Sequence, residues 1–123
     1  MPEVCSPVLE APRVLGDAWA EVTVTPGEPV FAGHYPGIPI LPGACVIEYV
    51  RLAALEVLNR REGRWAMAAI ESSRFLEPVL PGDQLVFDLA WSGNDRVRTC
   101  KSTVSTERGP AVRMRLRFES DGS

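Results

Sequence analysis

"PGACVIEYVRLAALEVLNRREG", residues 42–63, is the stretch from which the fold can be read. It is apolar on nearly every face for three turns, and Glu48, Arg51 and Glu56 are its only charges before Arg60. Pro42 at the first helical position, Arg60 and Arg61 in the last turn and Gly63 just beyond are start and stop signals. They predict one long helix over 42–62 with its first half buried all round. A helix of that kind needs a shell.

The flanking sequence supplies one. On the N-terminal side "AWAEVTVT" (18–25) alternates Trp19, Glu21 and Thr23 against Ala20, Val22 and Val24, then stops at Pro26-Gly27, as a strand does. On the C-terminal side "RWAMAAIESSRFL" (64–76), "QLVFDLAWS" (84–92), "RVRTCKSTVST" (96–106) and "AVRMRLRFES" (111–120) are four strand-like runs. "PVLPGD", "GND" and "ERGP" separate them, with residues typical of antiparallel hairpins. In the last run Val112, Met114, Leu116 and Phe118 alternate with Arg113, Arg115 and Arg117, giving one apolar and one wet face. The expected architecture is α+β: a curved antiparallel sheet wrapped around a central helix, in a single domain over 1–123. Residues 1–12, rich in proline, read as an irregular arm, with a short strand from about Val8 to Leu15.

Composition narrows the function. The chain has 123 residues, of which 46% are hydrophobic and 24% charged, the profile of an ordinary globular domain. A net charge of −3 leaves no excess of basic residues to neutralise phosphates, so nucleic acid is not an expected partner. Cys5, Cys45 and Cys100 are odd in number and widely spaced, which indicates neither a disulfide framework nor a zinc site. No apolar run approaches a bilayer's thickness and no leader pattern is visible, so a cytoplasmic location without membrane contact is the expectation. A domain this small also gains core by pairing with a second subunit.

Chemistry concentrates just before the helix. "GHYPGIPILPGACVIE" (33–48) holds the chain's one histidine, three prolines and three glycines, with an acid fourteen positions after the histidine. Pro36, Gly37, Pro39 and Pro42 fix a turn that sets His34 near the helix terminus, and Gly43 exposes a backbone amide there. Imidazole titrates near neutrality and suits a general base. Glu48, set among Val46, Ile47 and Tyr49, suits a carboxylic acid that keeps its proton. The amide at Gly43, at the positive end of the helix, suits a developing oxyanion. Taken singly, His34 reads more readily as a turn residue than as a catalyst, Glu48 equally as a satisfied buried carboxylate, and Pro42-Gly43 as helix punctuation. Cys45 reads as a small core residue, and Arg113, Arg115 and Arg117 as a solvated face.

The segment at 33–48 resembles the active-site signature of the beta-hydroxyacyl-acyl carrier protein dehydratases of the FabZ/FabA type, and "SRFLEPVLPGDQLVFD" (73–88) is similar to their second signature. The resemblance runs from about Val22 to Phe118. It implies a hot-dog fold and elimination of water from a 3-hydroxyacyl thioester on an acyl carrier protein, in fatty-acid or polyketide biosynthesis. His34 and Glu48 would be catalytic, the Gly43 amide would bind the thioester carbonyl, and Tyr35, Pro42, Cys45 and Leu52 would line the substrate pocket. No cofactor and no metal are implied. The family pairs the histidine of one subunit with the acid of another, so a homodimer, or a heterodimer with another hot-dog subunit, is expected. Arg113, Arg115 and Arg117 are candidates for docking the acidic carrier. The chain departs from the family at its short N-terminal arm, at Glu77 in place of a basic residue, and at Leu52 in place of a glutamine. A hot-dog thioesterase and a non-catalytic acyl-binding partner subunit are the competing readings.

Overall fold

The computed structural model describes residues 10–25, 40–60 and 63–121. Its elements are β1 (Arg13–Leu15), β2 (Trp19–Thr23), α1 (Gly43–Leu58), β3 (Trp65–Phe75), β4 (Gln84–Asp88), β5 (Ala90–Gly93), β6 (Val97–Thr106) and β7 (Gly109–Ser120). The strands form one antiparallel sheet in the order β1-β2-β4-β6-β7-β3, with β5 also paired to β6. Helix α1 lies against one face of that sheet, as the periodicities require.

The helix is shorter than 42–62. Pro42 is its N-cap, outside the first turn, and Asn59 closes it with an N–H donated to the Leu55 carbonyl. Arg60 therefore follows the helix, where it bonds Glu56 and the Gly16 carbonyl, while Arg61 lies outside the described residues. Nor is the first half of α1 buried all round. Cys45, Val46, Tyr49, Val50, Ala53, Ala54, Val57 and Leu58 are buried, whereas Ile47, Glu48, Arg51, Leu52 and Leu55 are only partly covered. A single sheet can cover a helix on one side only.

Two connections differ from the sequence reading. "PVLPGD" is no hairpin: β3 pairs with β7 at the sheet's edge, and β4 sits between β2 and β6, so residues 76–83 cross from one part of the sheet to another. "QLVFDLAWS" is two strands in one register. Phe87 faces Val104 and, three residues on, Ala90 faces Lys101, with the break at Leu89. There the Asp88 carboxylate takes the Thr103 N–H at 2.7 Å, and the Leu89 N–H turns to the Ala18 carbonyl at 2.7 Å. The break lets one chain segment pair with β2 first and with β6 throughout.

Inward side chains of the sheet, among them Val22, Leu85, Phe87, Cys100, Val104, Val112, Leu116 and Phe118, join the buried face of α1 in one core cluster. Removing a ring such as that of Phe118, fully buried, would cost about 3–5 kcal/mol. Burial pushes the Cys100 thiol up to about 12, so it stays a protonated, inert core group. Register shifts between Met67 and Ala69 and between Ile70 and Ser72 bend β3, curving the sheet's edge.

The crossover is clamped at its far end. Gly82, with φ of +86°, makes the left-handed turn that a side chain would strain, and its N–H reaches the Val24 carbonyl at 2.8 Å. Asp83 accepts the Leu80 N–H at 2.8 Å and both terminal nitrogens of Arg108, at 3.0 and 2.6 Å, from the β6–β7 turn. Those Arg108 hydrogen bonds hold the Asp83 carboxyl below its ordinary 3.8. A lowered folded pKa adds stability that is complete above the unfolded value and is lost as pH falls through the folded one. Asp83→Asn should therefore lower the thermal midpoint at pH 7, and the gap from wild type should close as pH drops below about 4. Melting curves from pH 7 to pH 2 check this; a gap constant across that range contradicts it.

Candidate active site

The N-terminus of α1 opens onto a cavity of ≈ 470 Å³. Ile40, Leu41, Pro42 and Gly43 form one wall, Leu76 to Val79 of the crossover form another, and Val46, Phe75 and Val112 complete it. The two walls are joined by the Leu41 N–H, which donates to the Val79 carbonyl at 2.8 Å. Helix-start amides lack intrahelical acceptors, and Pro42 has no side chain to cap them. The Cys45 N–H donates to the Pro42 carbonyl at 2.9 Å, so the cavity meets the helix at Gly43 itself, on a mostly apolar lining with Glu77 as the charged residue in its wall.

Gly43 is where the backbone must be bare. A Cβ there would stand 2.5 Å from Phe75 Cζ, because the ring lies across the helix start. Phe75 is 54% exposed, so it covers the terminus without being locked into the core. Sequence reasoning missed this ring; its position in the second signature, at the end of β3, was the available signal.

Glu48 lies elsewhere on the helix. At about 100° per residue it is roughly 200° around from Val46, and it does not line the cavity. Its side chain is 16% exposed and is engaged by Arg51, whose Nε donates to Oε1 and Nη2 to Oε2, each at 2.8 Å. The apolar setting expected for this carboxyl thus contains a guanidinium. The i,i+3 spacing of Glu48 and Arg51 was legible, but Leu52, one turn on, drew the attention.

Of the remaining candidates, Pro42 lines the cavity, whereas Cys45 and Leu52 do not: Cys45 is fully buried in the core and Leu52 is half-buried on the helix. His34 and Tyr35 lie outside the described residues. The arginine stripe faces away from the helix. Arg115 and Arg117 both reach Glu71 on β3, at 3.2 and 3.3 Å, Arg117 also meets Glu119, and Arg113 is exposed. Among the described residues no three of His, Cys, Asp or Glu converge in a way that could hold a metal ion, and no helix is long and apolar enough to cross a membrane.

A helix cradled by an antiparallel sheet, with a cavity at the helix start, defines a hot-dog protein. The dehydratase heterocomplex ApeI:P from Xenorhabdus doucetiae aligns with a TM-score of 0.69 at 23% identity, covering 85% of this chain and 89% of that one. The fluoroacetyl-CoA thioesterase FlK aligns at 0.73 with 10% identity, over 92% of this chain and 90% of that one, so the fold alone spans both chemistries. By sequence the chain belongs to the ApeI-like dehydratase family, whose model matches residues 15–112. A 3-hydroxyacyl-acyl-carrier-protein dehydratase FabZ of Symbiobacterium thermophilum is 50% identical over 66 residues, half of this chain and 46% of the relative. Another, of Hydrogenobaculum, is 34% identical over 95 residues, 72% of this chain and 60% of the relative. The chain thus spans about half the length of the curated relatives it matches.

The contact between Gly43 and Phe75 is testable by itself. In a Phe75→Ala background, Gly43→Ala should be neutral or stabilising by up to about 1 kcal/mol, since alanine outperforms glycine in a helix. With the ring present the same change should be less favourable by about 1 kcal/mol or more, as overpacking is. Urea unfolding of the four chains measures the difference, and equal effects in both backgrounds contradict the contact.

Proposed function

We propose that this dehydratase-family chain eliminates water from a 3-hydroxyacyl thioester carried by an acyl carrier protein, in fatty-acid or polyketide synthesis. The observation that carries the reading is the family match across 15–112, which includes both His34 and Glu48 and the Gly43 helix start. His34 takes the proton from C2, Glu48 engages the 3-hydroxyl, and the amide at Gly43 receives the thioester oxygen as it gains charge. No metal or cofactor is called on. Tyr35 and Pro42 would flank the thioester, and Arg113, Arg115 and Arg117 remain candidates for meeting an acidic carrier.

The two helix features serve different sites. The Gly43 cavity and Glu48 point to different sides of α1, as they would if each worked with the partner's copy of the other. The edge of β3 supports pairing: among the described residues β3 is paired on one side only, and Ile70 and Phe75 on it and Leu76 just beyond it are 48%, 54% and 38% exposed. A dimer, of two copies or with a second hot-dog chain, would cover that edge.

Mass spectrometry of a carrier-bound 3-hydroxyacyl substrate tests the reaction. Loss of water with the thioester intact is the expected result; release of the free acid favours a thioesterase, and no change favours a non-catalytic partner. His34→Ala and Glu48→Gln should each lower turnover by about 10²- to 10⁴-fold without unfolding the chain. Co-refolded from equal amounts, the two variants should recover roughly a quarter of wild-type activity, because random pairing makes about half the dimers mixed, each with one intact site of two. Mixed dimers that stay as inactive as the single variants would put both residues in one chain's site.

A further inference from the structure

Glu48 and Arg51 make an unusual pair for a helix surface. At the far end of α1, Glu56 meets Arg60, just past the helix, through one contact at 3.0 Å with both side chains about half exposed, the kind of pair that contributes little. Arg51 instead meets both oxygens of Glu48 at 2.8 Å, with side chains only 33% and 16% exposed. Two parallel charge-assisted bonds fix the plane of a carboxylate as one contact cannot, and only a guanidinium offers that fork.

Building on the dehydratase reading, we propose that Arg51 is a positioning residue that holds Glu48 as an oriented carboxylate, so that Glu48 receives the substrate's 3-hydroxyl as an acceptor. A carboxylate has about four lone-pair sites; Arg51 occupies two and leaves two for the hydroxyl. With both oxygens accepting from Arg51, Glu48 serves here as an acceptor, which changes the division of labour expected from the sequence. The proton that leaves with the oxygen is the one His34 removed: the C2–H pair becomes the C2=C3 bond, the C3–O pair departs with oxygen, and the proton passes from C2 to imidazole to that oxygen, forming water. His34 and Glu48 end as they began. Arg51 touches no reacting atom and acts through Glu48.

A double-mutant cycle on the full chain tests this. Arg51→Gln should lower kcat by about 10- to 100-fold with KM changed less than about threefold, because a misdirected carboxylate costs the chemical step more than binding. Arg51→Lys, a point charge without a fork, should recover only part of the loss. In a Glu48→Gln background, Arg51→Gln should cost nothing further. A loss of the same size in both backgrounds, or a loss confined to KM, overturns the proposal. The pair has a readout that needs no turnover: the Glu48 carboxyl carbon resonance at pH 7, assigned by its absence in Glu48→Gln, should move in Arg51→Gln and not in the exposed control Arg74→Gln. Absence of enoyl product from wild type sinks the dehydratase reading; a carbon resonance indifferent to Arg51 sinks the pair itself.

Discussion

The described structure follows from burying one face of α1 on one sheet. The residues of α1 that meet the sheet, from Cys45 through Leu58, are apolar or small, and the strands opposite present an alternating apolar face. A single sheet shields only that side. The opposite side of α1 therefore carries whatever the fold does not need for packing, and there the chain places Glu48 and Arg51. Apolar burial supplies stability, and the face turned from the sheet supplies chemistry.

The cavity obeys the same constraint at the helix end. The helix starts at Gly43 after an N-cap with no polar side chain, and the Cys45 N–H turns back to the Pro42 carbonyl at 2.9 Å, which leaves the amide at Gly43 as the donor the account assigns to a ligand. The crossover from β3 to β4 closes over it, tethered by Leu41 to Val79 at one point and by Asp83 to Arg108 at another. Phe75 shares its place with Gly43 only because the glycine lacks a side chain. These contacts tie the second signature block to the first, which explains why the two blocks occur together in sequence.

The helix, its apolar content and most strands were legible in the sequence because each rests on local periodicity. β2 and β7 alternate as their burial does, and Gly43 at the helix start was visible in the Pro-Gly pair. The helix end was overestimated because Arg60 and Arg61 look like a last turn, whereas Asn59 already closes the helix. "PVLPGD" looked like a hairpin because turn residues announce a reversal without saying which strand comes next; pairing β3 with β7 is a long-range choice made by the core. In the site, Glu48 was legible as an acid in an apolar run, but its partner was not, since the reading asked what surrounds the carboxyl and not what reaches it three residues on. His34 and Tyr35 lie outside the described residues and rest on the resemblance.

The central claim is that this scaffold breaks a C2–H bond while leaving the thioester whole. The reverse reaction in heavy water measures that directly. Given a trans-2-enoyl thioester in D₂O, the enzyme should return the 3-hydroxyacyl thioester with one deuterium at C2, seen by mass spectrometry, and Glu48→Gln should not. Release of the free acid with no deuterium at C2 would contradict the account and make the same fold a hydrolase.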